Sequence, residues 1–245
     1  MQNIFNKIVV IGDVHGRGCW MDIINKNEDA DLFVFLGDYV STHENISPRQ
    51  QIANLLAILN LKEMMPERVI LLRGNHDMQH LGYDWAECSG FFREVEKEMS
   101  KPEARDRYLR DTQWVYVYND IIFSHAGITK RWFKDSGVEK VEDINTLPPS
   151  ELFGFRPCKF SDYYGISETQ GPTWIRPYTL IDYALPGYTQ VVGHTPVKQI
   201  CNLKDELEKH DPENYTGEEQ NIWLCDRLPN EYLIIENGEF KPTKI

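Results

Sequence analysis

Five short runs of apolar residues in this chain each end in a polar motif that carries aspartate, histidine or asparagine. The motifs are, in chain order, Gly12-Asp13-Val14-His15-Gly16, Gly37-Asp38, Gly74-Asn75-His76-Asp77, Ser124-His125-Ala126-Gly127 and Gly193-His194-Thr195. Residues that follow successive strands of an open α/β sheet converge at one edge, where ligands bind. The pattern therefore predicts a single site assembled from these five strand ends.

The first third of the chain alternates β-rich runs with helical stretches, which is the α/β signature. The runs are Lys7–Ile11, Gly18–Lys26, Leu32–Leu36, Pro48–Met64 and Val69–Arg73. The second helix is the best marked, because Ser47 can cap it, Pro48 suits its first turn and Gln50 can complete a capping box. We therefore expect a mixed α/β fold in which strands position the polar motifs.

The rest of the chain adds further strands and three segments of different character. Strand-like runs lie at Trp114–Tyr118, Ile121–Ser124, Gln190–Val192, Ile222–Cys225 and Tyr232–Ile235. Tyr83–Asp111 is polar with apolar residues at helical spacing, so we expect a helix there. Leu147–Leu185 is rich in Pro, Gly and aromatic residues and is expected to be a long structured loop that shapes a substrate pocket. Asp205–Glu219 is acidic and is expected to be an exposed loop.

Length and composition limit the class of protein. With 245 residues and 41% hydrophobic side chains the chain can bury a full core, and we expect one domain over residues 1–245. The apolar run Ile8–Ile11 stops at Gly12, too short for a signal peptide or a membrane span, so we expect a soluble, cytoplasmic protein.

The formal net charge of −12 disfavours nucleic acid as a partner. The five cysteines form no Cys-x-x-Cys pair, which predicts reduced thiols.

Each motif also has a purely structural explanation when it is taken alone. Asp-x-His after a strand can be a turn in which the Asp bonds its own backbone, and Gly37-Asp38 is ordinary turn chemistry. Five such strand ends together need a common explanation, and a metal site supplies one. The histidines His43, His80 and His210 belong to none of the motifs, so surface or core roles suit them better.

The side-chain types in the motifs favour a particular group of metals. Carboxylate and amide oxygens mixed with neutral imidazoles suit Mn, Fe, Zn, Co or Ni, whereas an all-oxygen set would favour Mg or Ca. We take manganese as the first candidate. Two such ions, roughly 3.5–4 Å apart, can activate a water and neutralise charge on a phosphoryl oxygen. A phosphate ester is the substrate class that gains most from this arrangement.

The motif order over residues 8–196 resembles the calcineurin-like metallophosphoesterase superfamily. The sequences of Gly12–Gly16, Gly37–Val40 and Leu71–Asp77 are most similar to the matching motifs of the phosphoprotein phosphatase branch. This branch includes bacterial and phage Ser/Thr phosphatases and symmetrical diadenosine tetraphosphate hydrolases. The resemblance implies a central β-sandwich flanked by helices, with a two-metal site at the C-terminal ends of the strands. Pro196 stands where phosphodiesterase branches usually have a second His, which disfavours a nuclease of that type.

The resemblance also implies a role for each motif residue. It assigns Asp13 and His15 to the first metal, Asp38 to the bridge between both metals, and Asn75, His125 and His194 to the second metal. It implies that a metal-bridging hydroxide is the nucleophile and that His76 is the general acid, which protonates the leaving-group oxygen. Asn75 is expected to contact the substrate as well.

Two residues of that branch are missing after Gly37-Asp38-Tyr39-Val40. The branch usually continues with Asp-Arg-Gly, in which the Asp orients the catalytic histidine and the Arg binds phosphate. This chain reads Ser41-Thr42-His43 instead. We expect His76 to be less well fixed as a result, unless Asp77, Asp84 or another group takes over. His43 could replace the arginine as a phosphate donor, or it could be a solvent-exposed histidine.

Two arginines are candidates for binding the substrate's phosphate. Arg176, in the long loop, is the better one, because a guanidinium matches two phosphoryl oxygens and the branch often has an Arg in the matching loop. An Arg that follows a Trp can equally be a stacked surface side chain. Arg73 directly precedes the Gly-Asn-His motif and could support the site or bond carbonyl groups in the core, and we favour the second role.

Four functions remain open on this sequence. The first is a phosphomonoesterase acting on phosphorylated protein or on a small phosphate ester. The second is a dinucleoside polyphosphate hydrolase, in which Tyr163, Tyr164, Trp174 and Tyr178 could stack a base. The third is a non-enzymatic metal-binding module, which the missing Asp and Arg would favour. The fourth is RNA end-healing, which the acidic charge counts against.

Overall fold

Two mixed β-sheets of five strands each form the centre of the protein. The computed structural model describes residues 5–83, 88–156, 166–210 and 220–245. The strands are β1 (Lys7–Ile11), β2 (Leu32–Phe35), β3 (Val69–Leu71), β4 (Val115–Tyr118), β5 (Ile121–Ser124), β6 (Thr189–Val192), β7 (Cys201–Asn202), β8 (Asn221–Leu224), β9 (Glu231–Glu236) and β10 (Glu239–Lys244). The first sheet has the order β10-β9-β1-β2-β3 and the second has the order β4-β5-β6-β8-β7.

Helices cover the outer faces of both sheets. They are α1 (Trp20–Lys26), α2 (Pro48–Met64), α3 (Asn75–His80), α4 (Arg93–Met99), α5 (Pro102–Asp111), α6 (Lys130–Ser136), α7 (Pro177–Tyr183) and α8 (Leu203–His210), together with a 3₁₀ helix at Val141–Thr146. This arrangement of two sheets flanked by helices agrees with the fold that the sequence predicted.

The strand β1 is buried on both faces because its apolar residues alternate between two cores. Val9 and Ile11 pack in the core that also holds Ile23 of α1 and Ile58 of α2. Ile8 and Val10 lie in the core between the sheets, together with Phe123 of β5 and Val191 of β6. A continuous apolar run of this kind is typical of a strand inside a covered parallel sheet.

The parallel strands of each sheet point their carboxyl ends toward the same edge. In the first sheet, β1 pairs in parallel with β2, and β2 with β3. In the second, β5 pairs in parallel with β6, and β6 with β8. The loops after these strands therefore lie where the polar motifs were expected to meet.

The helix α2 begins as its sequence predicted. The Ser47 hydroxyl accepts a hydrogen bond from the Gln50 backbone N–H, and the Gln50 side chain accepts one from the Ser47 backbone N–H. This is the capping box, and Pro48 occupies the first turn. Ile58 and Leu59 are among the buried residues that fix the helix on the sheet.

Three segments differ in detail from what the sequence predicted. In the helical stretch expected over Tyr83–Asp111, the described residues form two helices, because Pro102 cannot continue α4 and instead begins α5. The acidic loop expected over Asp205–Glu219 begins as the helix α8. The long loop over Leu147–Leu185 contains α7.

Some predictions fall on residues outside the described ranges. These residues are Asp84, Cys158, Tyr163 and Tyr164, the segment 211–219 and the side chain of His210. Within the described residues, no helix combines the length and the apolar character needed to cross a membrane.

Candidate metal centre

The five strand-end motifs meet at one place between the two sheets. Asp13 and His15 follow β1, Asp38 follows β2 and Asn75 follows β3, whereas His125 follows β5 and His194 follows β6. All of these side chains are buried except His15, which is half-buried. The structure thus brings together all six residues that the sequence proposed as metal ligands.

The amide oxygen of Asn75 lies against two histidine rings of the second sheet. It is 2.9 Å from His125 Nε2 and 3.0 Å from His194 Nδ1. Oxygen and nitrogen atoms that converge in this way can share one ion. Because Asn75 begins α3, after β3 of the first sheet, and both histidines follow strands of the second sheet, the contact joins the two halves of the site.

The carboxylate of Asp38 lies among three histidines. Its Oδ2 atom is 3.4 Å from His125 Nε2, 3.9 Å from His15 Nε2 and 3.9 Å from His76 Nε2. This central position suits the bridging role that the resemblance assigned to it.

Two overlapping clusters of donor atoms share Asp38. In each cluster the atoms lie within 4.8 Å of one another: one holds His15, Asp38 and His76, and the other holds Asp13, Asp38 and His125. Asp13 therefore groups with His125 and not with His15. The division of ligands between a first and a second metal stays a prediction, whereas a shared Asp38 agrees with the geometry.

Glycines in the motifs let the carboxylates approach the neighbouring loops. A Cβ atom on Gly74 would lie 2.0 Å from Asp38 Oδ1, and one on Gly193 would lie 2.0 Å from Asp13 Oδ1. No side chain fits at either position. The motif glycines are thus explained by close packing of one loop's backbone against the next loop's carboxylate.

Hydrogen bonds to backbone carbonyls fix the orientation of two histidine rings. The Nδ1 atom of His15 is 2.7 Å from the Ser41 carbonyl oxygen, and that of His125 is 2.8 Å from the Leu36 carbonyl oxygen. Each Nδ1 therefore carries the proton and donates it. This leaves Nε2 of each ring as a lone-pair donor that faces the site, as in metal-binding histidines.

Three of the site residues have left-handed backbone conformations. The φ angles are 47° at His15, 50° at Asp38 and 61° at His194. Residues other than glycine adopt such angles rarely, and the strain clusters at functional sites. The polypeptide is bent at these three points in a way that aims the side chains inward.

Buried carboxylates crowd together in the site, and Arg176 offsets only part of their charge. Burial, and then the neighbouring carboxylates of Asp226 and Asp38, raise the pKa of Asp13 well above its usual range. Burial and Asp77 do the same to the pKa of Asp38. Among the described residues, Asp38 pairs only with histidines. Buried carboxylates that crowd together in this way fit a site for cations.

The histidines of the site are held neutral. Burial lowers the pKa of His125 to about 3 and lowers that of His194 well below its usual range. Burial also lowers the pKa of His15. Only a neutral imidazole can donate a lone pair to a metal, so the donor set fits a transition-metal pair.

A hydrogen bond holds the backbone of His76, but none holds its ring nitrogen Nδ1 among the described residues. Its backbone N–H donates to Asp38 Oδ1 at 3.0 Å. Its Nδ1 atom is buried and has no hydrogen-bond partner among the described residues. Burial, followed by the charges of His15 and His125, lowers the pKa of His76 well below its usual range. The missing orienting carboxylate thus has no described replacement.

Asp77 does not take over the orienting role, because its carboxylate serves the backbone. It accepts hydrogen bonds from the backbone N–H groups of Tyr39 at 2.8 Å and Gly74 at 3.3 Å, and from the hydroxyl of Tyr108 at 3.1 Å. Burial raises its pKa to about 7. Asp77 fixes the loops that carry Asp38 and Asn75 and is buried away from solvent.

Ser41, at the position of the missing Asp, pairs with a different histidine. Its hydroxyl lies 2.9 Å from Nε2 of His80, whose ring stacks on Phe91 at 4.5 Å. His80 is fully buried. The core role that the sequence suggested for His80 agrees with this packing.

A cavity of about 640 Å³ opens onto the site. Arg176 lines it, and the Nη1 atom of Arg176 donates to the His194 carbonyl oxygen and to the Thr195 hydroxyl, both at 3.1 Å. His43 lines it too and is exposed. The guanidinium of Arg176 is thus held at the edge of the metal centre.

Arg73 lies in the core instead of on this cavity. Its guanidinium donates to the carbonyl oxygens of Leu109 at 2.7 Å and Thr112 at 2.8 Å, and it lies over the Trp114 ring. It is not among the described residues that line the cavity. Arg73 is therefore placed for its other expected role, which is to bond carbonyl groups in the core, and not for the expected contact with substrate.

The sequence did not indicate several residues that line the cavity. They include Arg17, Cys88, Asp226 and Arg227. Asp226 follows β8 at the same sheet edge, so the strand-end rule could have found it. Burial raises its pKa to about 6. Cys88 lies in no motif, and no local signal marks it.

Comparisons with known proteins agree with the geometry. The model of the calcineurin-like phosphoesterase family matches residues 6–198. A probable serine/threonine-protein phosphatase of Encephalitozoon cuniculi is 26% identical over 158 residues, which are 60% of this chain and 32% of that protein. The chain thus spans about a third of this relative's length.

A second relative matches over most of both lengths. The symmetrical bis(5'-nucleosyl)-tetraphosphatase of Aliivibrio fischeri is 23% identical over 248 residues, which are 92% of this chain and 81% of that protein. Among solved structures, the cold-active protein-tyrosine phosphatase of a psychrophilic Shewanella species has a TM-score of 0.64 at 18% identity. That match covers 98% of this chain and 78% of the other, and it shows a shared fold.

Proposed function

Since the chain belongs to the calcineurin-like phosphoesterase family, we propose that it is a two-metal phosphoester hydrolase, and specifically a phosphomonoesterase of the phosphoprotein phosphatase type. The observation that carries the proposal is the meeting of oxygen and nitrogen donors around Asp38 and Asn75. A phosphorylated protein or small phosphate ester in the cytoplasm is the proposed substrate.

The chain's own residues supply binding, orientation and proton transfer. A pair of divalent ions held by Asp13, His15, Asp38, Asn75, His125 and His194 would activate water and neutralise phosphoryl charge. Arg176 projects a guanidinium into the same cavity and would bind two phosphoryl oxygens. Asn75 directs its amide oxygen toward His125 and His194 and also lines the cavity, so it would lie beside a bound phosphate.

The metal content is the first test of this proposal. Purified protein reconstituted with manganese should hold about two ions per chain, because six donor residues suffice for a bridged pair with open positions. Reconstitution with Fe, Zn, Co or Ni in parallel identifies the preferred ion. Elemental analysis that finds no metal above background would contradict the proposal.

A second candidate function is dinucleoside polyphosphate hydrolysis. The relative that matches over most of both lengths carries the name of a symmetrical tetraphosphatase. Trp174 lines the cavity although it is only 9% exposed, and Tyr178, two residues after Arg176, is 75% exposed but outside the cavity lining, so Tyr178 offers the more accessible ring to an aromatic base. This candidate predicts the same metal centre with a different leaving group.

Rates on three substrates separate these functions. The manganese-loaded protein is given a phosphoserine peptide, diadenosine tetraphosphate and p-nitrophenyl phosphate under the same conditions. A higher kcat/KM on the peptide supports the phosphomonoesterase, and a higher value on the dinucleotide supports the second candidate. No turnover of any of the three would support the non-enzymatic module.

The proposed acid role of His76 has its own test. Its Nε2 lies 3.9 Å from Asp38 Oδ2, but its lowered pKa disfavours the protonated ring. If His76 protonates the leaving group, His76→Asn should lose about 10²–10⁴-fold on the phosphoserine peptide and much less on p-nitrophenyl phosphate, whose leaving group hardly needs a proton. His43→Asn is measured beside it, because His43 lines the same cavity and is the alternative phosphate donor; a loss there should be equal on both substrates.

The outcome for His76→Asn distinguishes three roles. Unequal losses with intact metal content support the acid. Equal losses on both substrates would assign His76 to positioning phosphate or water. Loss of an ion would make His76 a ligand, a result that its cluster with His15 and Asp38 allows.

A further inference from the structure

Cys88 stands in the wall of the cavity, directly behind the amide of Asn75. The Asn75 Nδ2 atom donates to Cys88 Sγ at 3.1 Å. Cys88 is 8% exposed and packs with Phe155 and Trp174. Its own backbone N–H donates to the side-chain oxygen of Gln79. The sulfur is therefore held in a fixed place relative to the metal centre.

The amide of Asn75 can serve a cation with only one of its two ends. Its oxygen has lone pairs to offer, whereas its NH₂ group presents two hydrogens that would repel a cation. The oxygen faces His125 Nε2 at 2.9 Å and His194 Nδ1 at 3.0 Å, and the NH₂ group faces away from them toward Cys88. A half-turn of the amide would place the NH₂ group against both histidines.

The sulfur of Cys88 provides the acceptor that makes one of these two orientations favourable. A buried NH₂ group without an acceptor loses its hydrogen bond with water and gains nothing in return. With Sγ beside it, that hydrogen bond is made only when the amide oxygen points at the two histidines. Groups that hold a ligand in this way set metal affinity although they do not touch the metal.

We propose that Cys88 is a positioning residue, which orients the Asn75 amide and thereby sets the affinity of the ion shared by Asn75, His125 and His194. The inference rests on the proposed function, because it requires that Asn75 is a ligand. It assigns Cys88 no contact with substrate or with the metals. Its effect passes through one hydrogen bond.

The experiment compares two substitutions that separate hydrogen bonding from packing. Cys88→Val keeps an apolar side chain of similar size but has no acceptor, whereas Cys88→Ser keeps an acceptor at the same atom. Cys201→Val, at a half-buried cysteine in β7, is the matched control. Each full-length protein is stripped of metal and titrated with Mn²⁺ by calorimetry, and with Co²⁺ while its visible absorption is followed.

We expect Cys88→Val to lower the affinity for one of the two ions by about 10–100-fold and to leave the affinity for the other unchanged. The loss of a group that orients a metal ligand has effects of this size. Cys88→Ser should stay within a few-fold of the wild type, and Cys201→Val should match it. Equal affinities in Cys88→Val and the wild type would overturn the inference. Equal losses in Cys88→Val and Cys88→Ser would overturn it as well, because packing would then be the cause.

The readout separates this inference from the proposed function. If the wild type binds two ions but hydrolyses no phosphate ester, the enzymatic proposal fails while the affinities still decide the role of Cys88. If the wild type binds no second ion, the metal site and the role of Cys88 are both overturned. Should Cys88→Val not fold, Cys88→Ala against Cys88→Ser gives the same comparison.

Discussion

Asp38 lies between histidine rings that come from the loops after β1, β3 and β5. Its Oδ2 atom is 3.4 Å from His125 Nε2 and 3.9 Å from both His15 Nε2 and His76 Nε2. Asp13, by contrast, accepts hydrogen bonds from the His194 backbone N–H at 2.9 and 3.1 Å. Asp38 thus lies close to three histidine side chains, whereas Asp13 accepts these hydrogen bonds from the backbone of one histidine.

Asp38→Asn should harm activity more than Asp13→Asn. Without the bridging charge, two dications a few ångströms apart repel with less compensation, and one should be lost. Asparagine tolerates the positive φ of position 38, so the backbone is not the cause. Elemental analysis and turnover are measured on the same samples. An Asp38→Asn protein that keeps both ions and most of its turnover would show that the bridge assignment is wrong.

His80 gives the protein a predictable sensitivity to acid. Burial lowers its pKa from about 6.5 to about 4. Between these values the unfolded chain takes up a proton that the folded protein refuses, so stability is lost as pH falls from 6.5 to 4. At pH 5 this one group should account for about 2 kcal/mol of the loss.

The measurement compares His80→Gln with the wild type in urea at pH 7 and pH 5. The glutamine can still bond the Ser41 hydroxyl but cannot titrate, so the variant should lose less stability on acidification than the wild type. His43→Gln, at an exposed histidine outside the core, is the control. A wild type and variant that lose the same free energy of unfolding would contradict the role of His80.

Residue types could be predicted from the motifs, but contacts between distant segments could not. The strand-end rule found Asp13, Asp38 and Asn75 because each follows a strand directly. It did not find Cys88, which lies beyond α3 along the chain and contacts Asn75 through its side chain. No spacing in the sequence encodes that contact.

At the scale of elements, the best predictions were those with a local physical signal. The capping box of Ser47 and Gln50 marked the start of α2 because its donors and acceptors are three residues apart. The break between α4 and α5 was signalled by Pro102, which cannot continue a helix, but the stretch was predicted as helical without a break. The start of α8 was hidden by its acidic composition.

Ser47→Ala should destabilise the protein by about 1 kcal/mol, because it leaves the backbone N–H of Gln50 without its acceptor. Urea unfolding of the metal-free protein gives the free energy directly. Arg49→Ala, at an exposed position in the same helix that makes neither capping bond, should change it little. A Ser47→Ala protein as stable as Arg49→Ala would show that the cap contributes nothing measurable.

At the scale of the whole molecule, the site joins the two sheets. Asp13, Asp38 and Asn75 follow strands of the first sheet, whereas His125 and His194 follow strands of the second. The sequence predicted that the motifs meet, but not that they divide between two sheets, because strand order depends on pairing between distant residues. The extent of the domain over residues 1–245 stays a prediction.

Divalent ions should therefore raise the temperature of unfolding of the whole protein. An ion bound only by the folded state adds RT ln(1 + [L]/Kd), which is about 2.7 kcal/mol at a concentration 100 times Kd. Calorimetric scans of the metal-free and the manganese-loaded protein measure the shift, and Asp38→Asn should show a smaller one. An unfolding temperature that does not change with manganese would contradict a site built from both sheets.

The position of β1 has a consequence for the order in which the chain folds. β1 is an inner strand, with Val10 opposite Val34 of β2 on one side and opposite Leu233 of β9 on the other. Its second neighbour is thus more than two hundred residues away along the chain, and closing so long a loop is slow. Until β9 arrives, the apolar run Ile8-Val9-Val10-Ile11 has an open edge that can pair with another chain. Aggregation during refolding should therefore begin at this edge.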